Sequence, residues 1–152
     1  VRYINKTHQK IKLMDIKKLL IGGIVGGVAC CLLGWVIFGM LLMDFFKSHT
    51  GVAGDISKAE PEFLYLIIGN LAMGFMLAYV FIKGNVNSLA GGIVTGGILG
   101  LLVSVGYNCI WYATSTVLSK TAMAADVAGT VVMTAIAGAV IAMVLGMGKK
   151  AA

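Results

Sequence analysis

Four stretches of this chain are apolar throughout and contain no Lys, Arg, Asp, Glu or His: Leu19–Met43, Phe63–Ile82, Leu89–Trp111 and Val127–Gly148. They run 20 to 25 residues each. A helix crossing about 30 Å of hydrocarbon needs about 20 apolar residues. Lipid offers no hydrogen-bond partner, so a spanning segment satisfies its backbone internally, as a helix does. The apolar–polar alternation of a membrane-barrel strand does not occur in these stretches. The pattern predicts an all-α membrane protein, a four-transmembrane-helix bundle. Residues 19–148 form one transmembrane domain, residues 1–18 a basic tail before it and residues 149–152 a short tail after it.

Polar residues mark the connections. The segment from Asp44 to Glu60 is a long loop. Ser57-x-x-Glu60 followed by Pro61-Glu62 predicts a helix start, because proline suits the first turn and acids complement the helix dipole. Gly84-Asn85-Val86-Asn87-Ser88 predicts a tight turn, and Ser119-Lys120-Thr121 the start of the last helix.

Net charge is +6, and its distribution changes the picture more than its size. Arg2, Lys6, Lys10, Lys12, Lys17, Lys18, Lys83, Lys149 and Lys150 fall on one side of the membrane, nine in all, against three on the other: Lys47, Lys58 and Lys120. Basic residues concentrate on the cytoplasmic side. The count predicts a multi-pass protein of the bacterial inner membrane with both termini cytoplasmic. Met14-Asp15-Ile16-Lys17-Lys18 reads as a natural membrane-protein start, in which case residues 1–13 precede the translated chain. The count is then five to three and the orientation stands. Span one is too long for a cleavable signal peptide and lacks a small-residue cleavage site. A basic run beside a first span sets topology and meets anionic lipid. Membrane lipid is the expected partner, and nucleic acid is not.

The 21 glycines lie largely inside the spans. Small residues recur at four-residue spacing: Gly22, Gly26, Cys30 and Gly34 in span one, Asn70, Gly74 and Ala78 in span two, Gly92, Gly96 and Gly100 in span three, and Thr130, Thr134, Gly138, Ala142 and Gly146 in span four. Between helices in lipid, close backbone approach and dispersion replace the hydrophobic drive. Gly22, Gly26, Gly74, Gly92, Gly96 and Gly138 are therefore the expected packing positions. The same stripes also suit a homo-oligomer. An internal repeat accompanies them. Gly22-Gly23-Ile24-Val25-Gly26-Gly27 recurs as Gly91-Gly92-Ile93-Val94-Thr95-Gly96-Gly97, and Gly74, Ala78, Val80 and Gly84 align with Gly138, Ala142, Val144 and Gly148. Each unit is a helical hairpin, and the two share one orientation, a parallel 2+2 repeat.

Candidate chemistry gathers at the end of the spans opposite the termini. Asn108, Tyr112 and Ser115 share one face of span three, and Tyr107 and Trp111 a neighbouring one. Asn70 lies about two turns into span two. Asp126 leads onto the Thr130–Thr134 stripe and is expected to point into the bundle. Asn70, Asn108, Tyr112 and Asp126, with Trp35 lining, form a candidate pocket for a small polar ligand or a lipid headgroup. The simpler reading is structural: Tyr107, Trp111 and Tyr112 as an interfacial aromatic belt, and Asn70 and Asn108 bonding across helices for about 0.6 kcal/mol each. Cys30, Cys31 and Cys109 form no motif and read as small hydrophobes. His8 and His49 read as solvated side chains. No catalytic residues, no metal site and no cofactor are expected. The glycine runs lack the Lys-Ser/Thr end of a phosphate loop.

Leu33-Gly34-Trp35-Val36-Ile37-Phe38-Gly39 resembles the Gly-Trp-Tyr segment of a family of small bacterial membrane proteins of unknown function, domain-of-unknown-function family 1761. The four-span layout and Tyr107-Asn108…Tyr112 are similar too, while Val36-Ile37 departs from the aromatic and proline character that follows the Trp there. The resemblance implies a fold and a membrane, not a mechanism.

Three functional classes remain. The first is an accessory or small-ligand and lipid-binding membrane protein without catalytic chemistry. The second is a small transporter or oligomeric channel, although the buried carboxylate that four-helix cation exporters depend on has no counterpart deep in any span. The third is a lipid-acting enzyme, for which only Asp126, Glu62, Asp44 and His49 are available and no spacing singles out a pair. Topology is directly testable. A C-terminal reporter active only outside the cytoplasm is expected to stay silent, and activity there would reverse the orientation.

Overall fold

Over their described residues all four charge-free stretches are helical, but for a bend at Leu42, in the structure, a computed structural model that describes residues 2–55, 58 and 60–147, with side chains from residue 16 onward. The order is α1 (Arg2–Val36), a π-helical turn (Ile37–Leu41), α2 (Met43–Ser48), α3 (Phe63–Lys83), α4 (Leu89–Thr114) and α5 (Lys120–Met147). Four segments are long and apolar enough to cross a membrane: Ile16–Leu41, Phe63–Lys83, Leu89–Thr114 and Lys120–Met147. The protein is an all-α, multi-pass membrane protein. α1 runs unbroken through the basic segment from Arg2, about 50 Å at 1.5 Å per residue, so it outreaches the hydrocarbon. Ser57, Gly148 and the 149–152 tail lie outside the described residues.

Local sequence sets the helix ends. α3 closes as Gly84 N donates to Val80 O (2.8 Å) and Val86 N to Phe81 O (2.8 Å). That closure needs a left-handed residue, and Asn85 supplies it at φ 53°. Ser88 then caps α4, its Oγ accepting from Gly91 N at 3.2 Å. α5 begins at Lys120, seven residues before the charge-free run, because Ser119 Oγ accepts from Ala122 N at 3.1 Å. α3 begins at Phe63, with Pro61 and Glu62 just before the helix rather than in its first turn.

The helices pack as two antiparallel pairs, α1 with α3 and α4 with α5, joined mainly by α1 against α5. α4 meets α3 only slightly. Glycine makes each pair close. A methyl added at Gly92 would overlap Gly138 O (2.5 Å) and the Ala142 Cβ (2.6 Å). One added at Gly96 would overlap the Thr134 carbonyl oxygen, and one at Gly100 the Thr134 hydroxyl. In the other pair a methyl at Gly22 would press on Ala78 Cβ (3.1 Å), and one at Gly26 on Ile141 and the Gly74 Cα.

The two pairs share this detail. Gly74 sits against Gly23 O and Gly27 N, and Gly138 against Gly92 O and the Gly96 Cα. The sequence repeat places Gly23 and Gly27 in register with Gly92 and Gly96, and Gly74 with Gly138. Around Gly74 and Gly138 the aligned residues thus make like contacts, whereas Gly23 meets the Phe75 ring and its counterpart Gly92 meets Ala142. The pairs differ also in what the first offers to the second. Gly22 and Gly26 also admit Ile141 and Leu145 of α5, which brings the first pair onto the second.

The apolar core lies toward the terminus end, the end of the 84–88 turn. Leu77, Ala78, Phe81, Ala137, Ile141, Ala142 and Cys30 are fully buried there. At the opposite, loop end, residues 63–69 of α3 all face outward. Overpacking costs about 1–3 kcal/mol in a tight core. Gly96→Leu and Gly138→Leu, which drive a side chain into a backbone, are expected to cost at least about 2 kcal/mol. Gly106→Leu is the control, since nothing lies within 4 Å of its added carbon. Thermal unfolding in detergent should show large losses at the first two sites and none at the third.

Candidate functional site

The site follows from the α4–α5 register. Gly92 faces Ala142, Gly96 faces Gly138 and Gly100 faces Thr134. Two further steps of four along both helices bring Asn108 opposite Asp126. Asn108 is 2% exposed, and its Nδ2 donates to Asp126 Oδ2 at 2.6 Å and to Ser104 O at 2.9 Å. Ser104 in turn donates to Gly100 O at 2.6 Å. Asn108 and Asp126 each lie about 9 Å from the loop end of their helix. Asp126 is half-buried. The only ion pair among the described residues is Lys58–Glu62, so Asp126 meets a neutral amide and no cation there.

The loops close over this end. Thr50 and Leu118 form an antiparallel bridge, with Gly51 N donating to Val117 O (2.9 Å) and Ala53 N to Thr116 O (3.1 Å). A side chain at Gly51 would overlap Thr116 and Val117, which explains glycine there. Ser119 joins loop to helix: its hydroxyl donates to His49 O while capping α5. The π-helical turn widens α1 by a residue where Phe38 must enter, a device frequent at functional sites. Gly129 on α5 receives the Phe38 ring, whose Cζ lies 3.0 Å from where a methyl would sit. The Phe46 ring of α2 lies 6.2 Å from it, centroid to centroid.

Between these pieces is a cavity of about 720 Å³. Phe38, Met43 and Phe46 form an apolar wall, Leu118 and Ala122 another, and Asp126, His49, Lys47, Asp55 and Lys58 carry its polar groups. Among the described residues no three His, Cys, Asp or Glu side chains cluster as a metal site would require.

Of the five residues singled out in the sequence, the structure joins two by a hydrogen bond, Asn108 and Asp126. Tyr112, one stripe step beyond Asn108, is 39% exposed and lines a separate depression with Thr50 and Leu118. Asn70 lies on the α3 stripe that faces α1. Its Nδ2 donates to Leu66 O (2.8 Å), and its Oδ1 is beside Gly34. Trp35 is 65% exposed, because it sits one residue, about 100° of helix, past the Gly34 face. Sequence reasoning misses Phe38, Phe46 and Lys47, and reads His49 only as a solvated side chain or an available group for lipid chemistry. His49 is not a solvated side chain: it is half-buried, stacks on Phe45 at 4.2 Å and holds Nδ1 2.9 Å from Phe45 O. Only Phe45 and His49 have helical i, i+4 spacing, and it gives no sign of Phe38, Phe46 or Lys47. Cys30 is buried as expected, Cys31 is half-buried, and Cys109 faces outward.

No family model, curated protein or solved structure matches the chain.

An interhelical hydrogen bond in a membrane protein contributes about 0.6 kcal/mol on average and up to about 1.7. Asn108→Ala is expected to cost about 1 kcal/mol or slightly more, since it strips Asp126 of its donor. Asp126→Asn keeps an acceptor facing Asn108 and should leave thermal stability nearly unchanged. Equal losses in both variants would show that the bond does not contribute as drawn.

Proposed function

We propose that this protein is a membrane protein without catalytic chemistry that binds a small polar ligand or a lipid headgroup at the loop end of its helices. One observation carries the reading. A carboxylate, Asp126, stands in the wall of a cavity of about 720 Å³, held in place by a buried amide rather than by a cation. Ligand pockets of this kind are about 300–1,000 Å³, mainly apolar, with a few placed polar groups. The cavity has that make-up.

The basic-residue count supports a bacterial inner membrane with both termini cytoplasmic. The cavity then opens on the side away from the cytoplasm. The Gly34-Trp35 segment and the four-span layout support kinship with domain-of-unknown-function family 1761 as part of the same reading. A transporter or channel is the alternative, and it requires passage of a solute. The apolar core around Leu77, Phe81 and Ile141 closes the terminus end, which favours binding over passage.

Native mass spectrometry of the full chain, purified in mild detergent, tests the reading. A bound small molecule or lipid is expected as a discrete mass adduct. Met43→Trp, which enlarges a residue of the cavity wall, and Asp126→Ala should each lower its occupancy at least tenfold. An adduct indifferent to both variants, or none at all, would overturn the assignment of the cavity.

A further inference from the structure

The cavity assigned above also constrains the charge of its occupant, and the inference here rests on that assignment. We infer that the ligand is a zwitterion, with its ammonium end against Asp126 and its acidic end toward Lys47.

The argument begins with what Asp126 lacks. Its Oδ2 accepts one hydrogen bond from the Asn108 amide. That bond orients the carboxylate but leaves its charge uncompensated. A half-buried charge taken out of water is costly unless it is paired. Among the described residues no Lys or Arg pairs with it. The cavity therefore presents a fixed negative group whose natural complement is a cation from outside the chain. The aromatic wall points the same way. The Phe38 and Phe46 rings, 6.2 Å apart and inclined at 31°, line the same cavity as Asp126. Aromatic faces attract ammonium groups, and more strongly where water is excluded.

A simple cation leaves Lys47 unmatched. Lys47 contributes to the same wall, is exposed and has no carboxylate partner among the described residues. A simple anion fails for the converse reason, since it would meet Asp126. A molecule with an ammonium group and a separated phosphate or carboxylate meets both. An ethanolamine phosphate, free or as the headgroup of a phospholipid, has this chemistry.

Thermal unfolding of the full chain in nanodiscs of phosphatidylglycerol, which carries no amine, tests the inference. One arm adds soluble O-phosphoethanolamine, with ethanolamine and inorganic phosphate as single-charge controls. The other arm dopes the nanodisc with phosphatidylethanolamine. Stabilisation is expected in one arm and not with either control at the same concentration. The arm that responds identifies the source as free solute or lipid. Asp126→Asn and Lys47→Gln should each weaken the response at least tenfold. Their unliganded melting temperatures should match the parent protein, which separates loss of binding from loss of fold. Ethanolamine alone acting as well as the zwitterion, or Lys47→Gln leaving the response intact, would overturn the zwitterion while sparing the cavity. No response in either arm, with the mass adduct still present, would do the same. No response and no adduct would remove both readings.

Discussion

The close approach of α4 to α5 fixes nearly everything else at the loop end. At Gly92, Gly96 and Gly138 the two backbones come so near that one added methyl has no room, and at Gly100 it would overlap the Thr134 side chain. Such an interface tolerates no slip, because a shift of either helix would drive Thr134 or Ala142 into a backbone. The register is thereby carried without adjustment to Asn108 and Asp126, two steps beyond the last glycine. In lipid this matters more than in water. Helices there are not driven together by expulsion of water, so geometry and dispersion must hold them. The hydrogen bond at 2.6 Å is a consequence of that geometry, not its cause.

The two hairpins use one packing solution and differ in what joins their helices. Residues 115–119 suffice to connect α4 and α5, while residues 37–62 connect α1 and α3. The longer connection supplies the π-helical turn, α2 and the strand-like piece at Thr50. These are the parts that build the cavity wall. The glycine-packed helix pairs thus provide a base, and the unequal connection provides the site. The sharing of Ser119 between its own helix cap and His49 O ties the long connection to the scaffold. The cavity wall therefore inherits its position from α5.

The scaffold was legible in the sequence because its physics is periodic. Missing charges marked the spans, and four-residue spacing of small residues marked the faces. Continuing that spacing from Gly100 through Ser104 reaches Asn108, and continuing it back from Thr134 through Thr130 reaches Asp126. Depth and face together made this pair readable. Trp35 and Asn70 show the limit of depth alone. Both lie near the right level, but Trp35 is off the packing face and Asn70 is on a face that belongs to α1. The cavity itself was not legible. Its lining comes from a helix that widens at Ile37, a six-residue helix and two loops that bridge through backbone atoms, and none of these leaves a periodic signal.

Asp126 gives the arrangement its direction. A carboxylate on a packing stripe spends stability unless something repays its lost hydration. Asn108 repays part through one neutral hydrogen bond, and apolar substitution of both partners would serve packing as well or better. Replacing buried polar pairs with apolar ones is often neutral or stabilising, so structural need alone accounts poorly for a charge at this position. Facing an aromatic wall, with Lys47 in the same lining, the charge is instead placed where an outside cation can neutralise it. The neutral partner is then the useful one. A lysine in place of Asn108 would saturate the carboxylate from within, whereas an amide holds it in position and leaves its charge available.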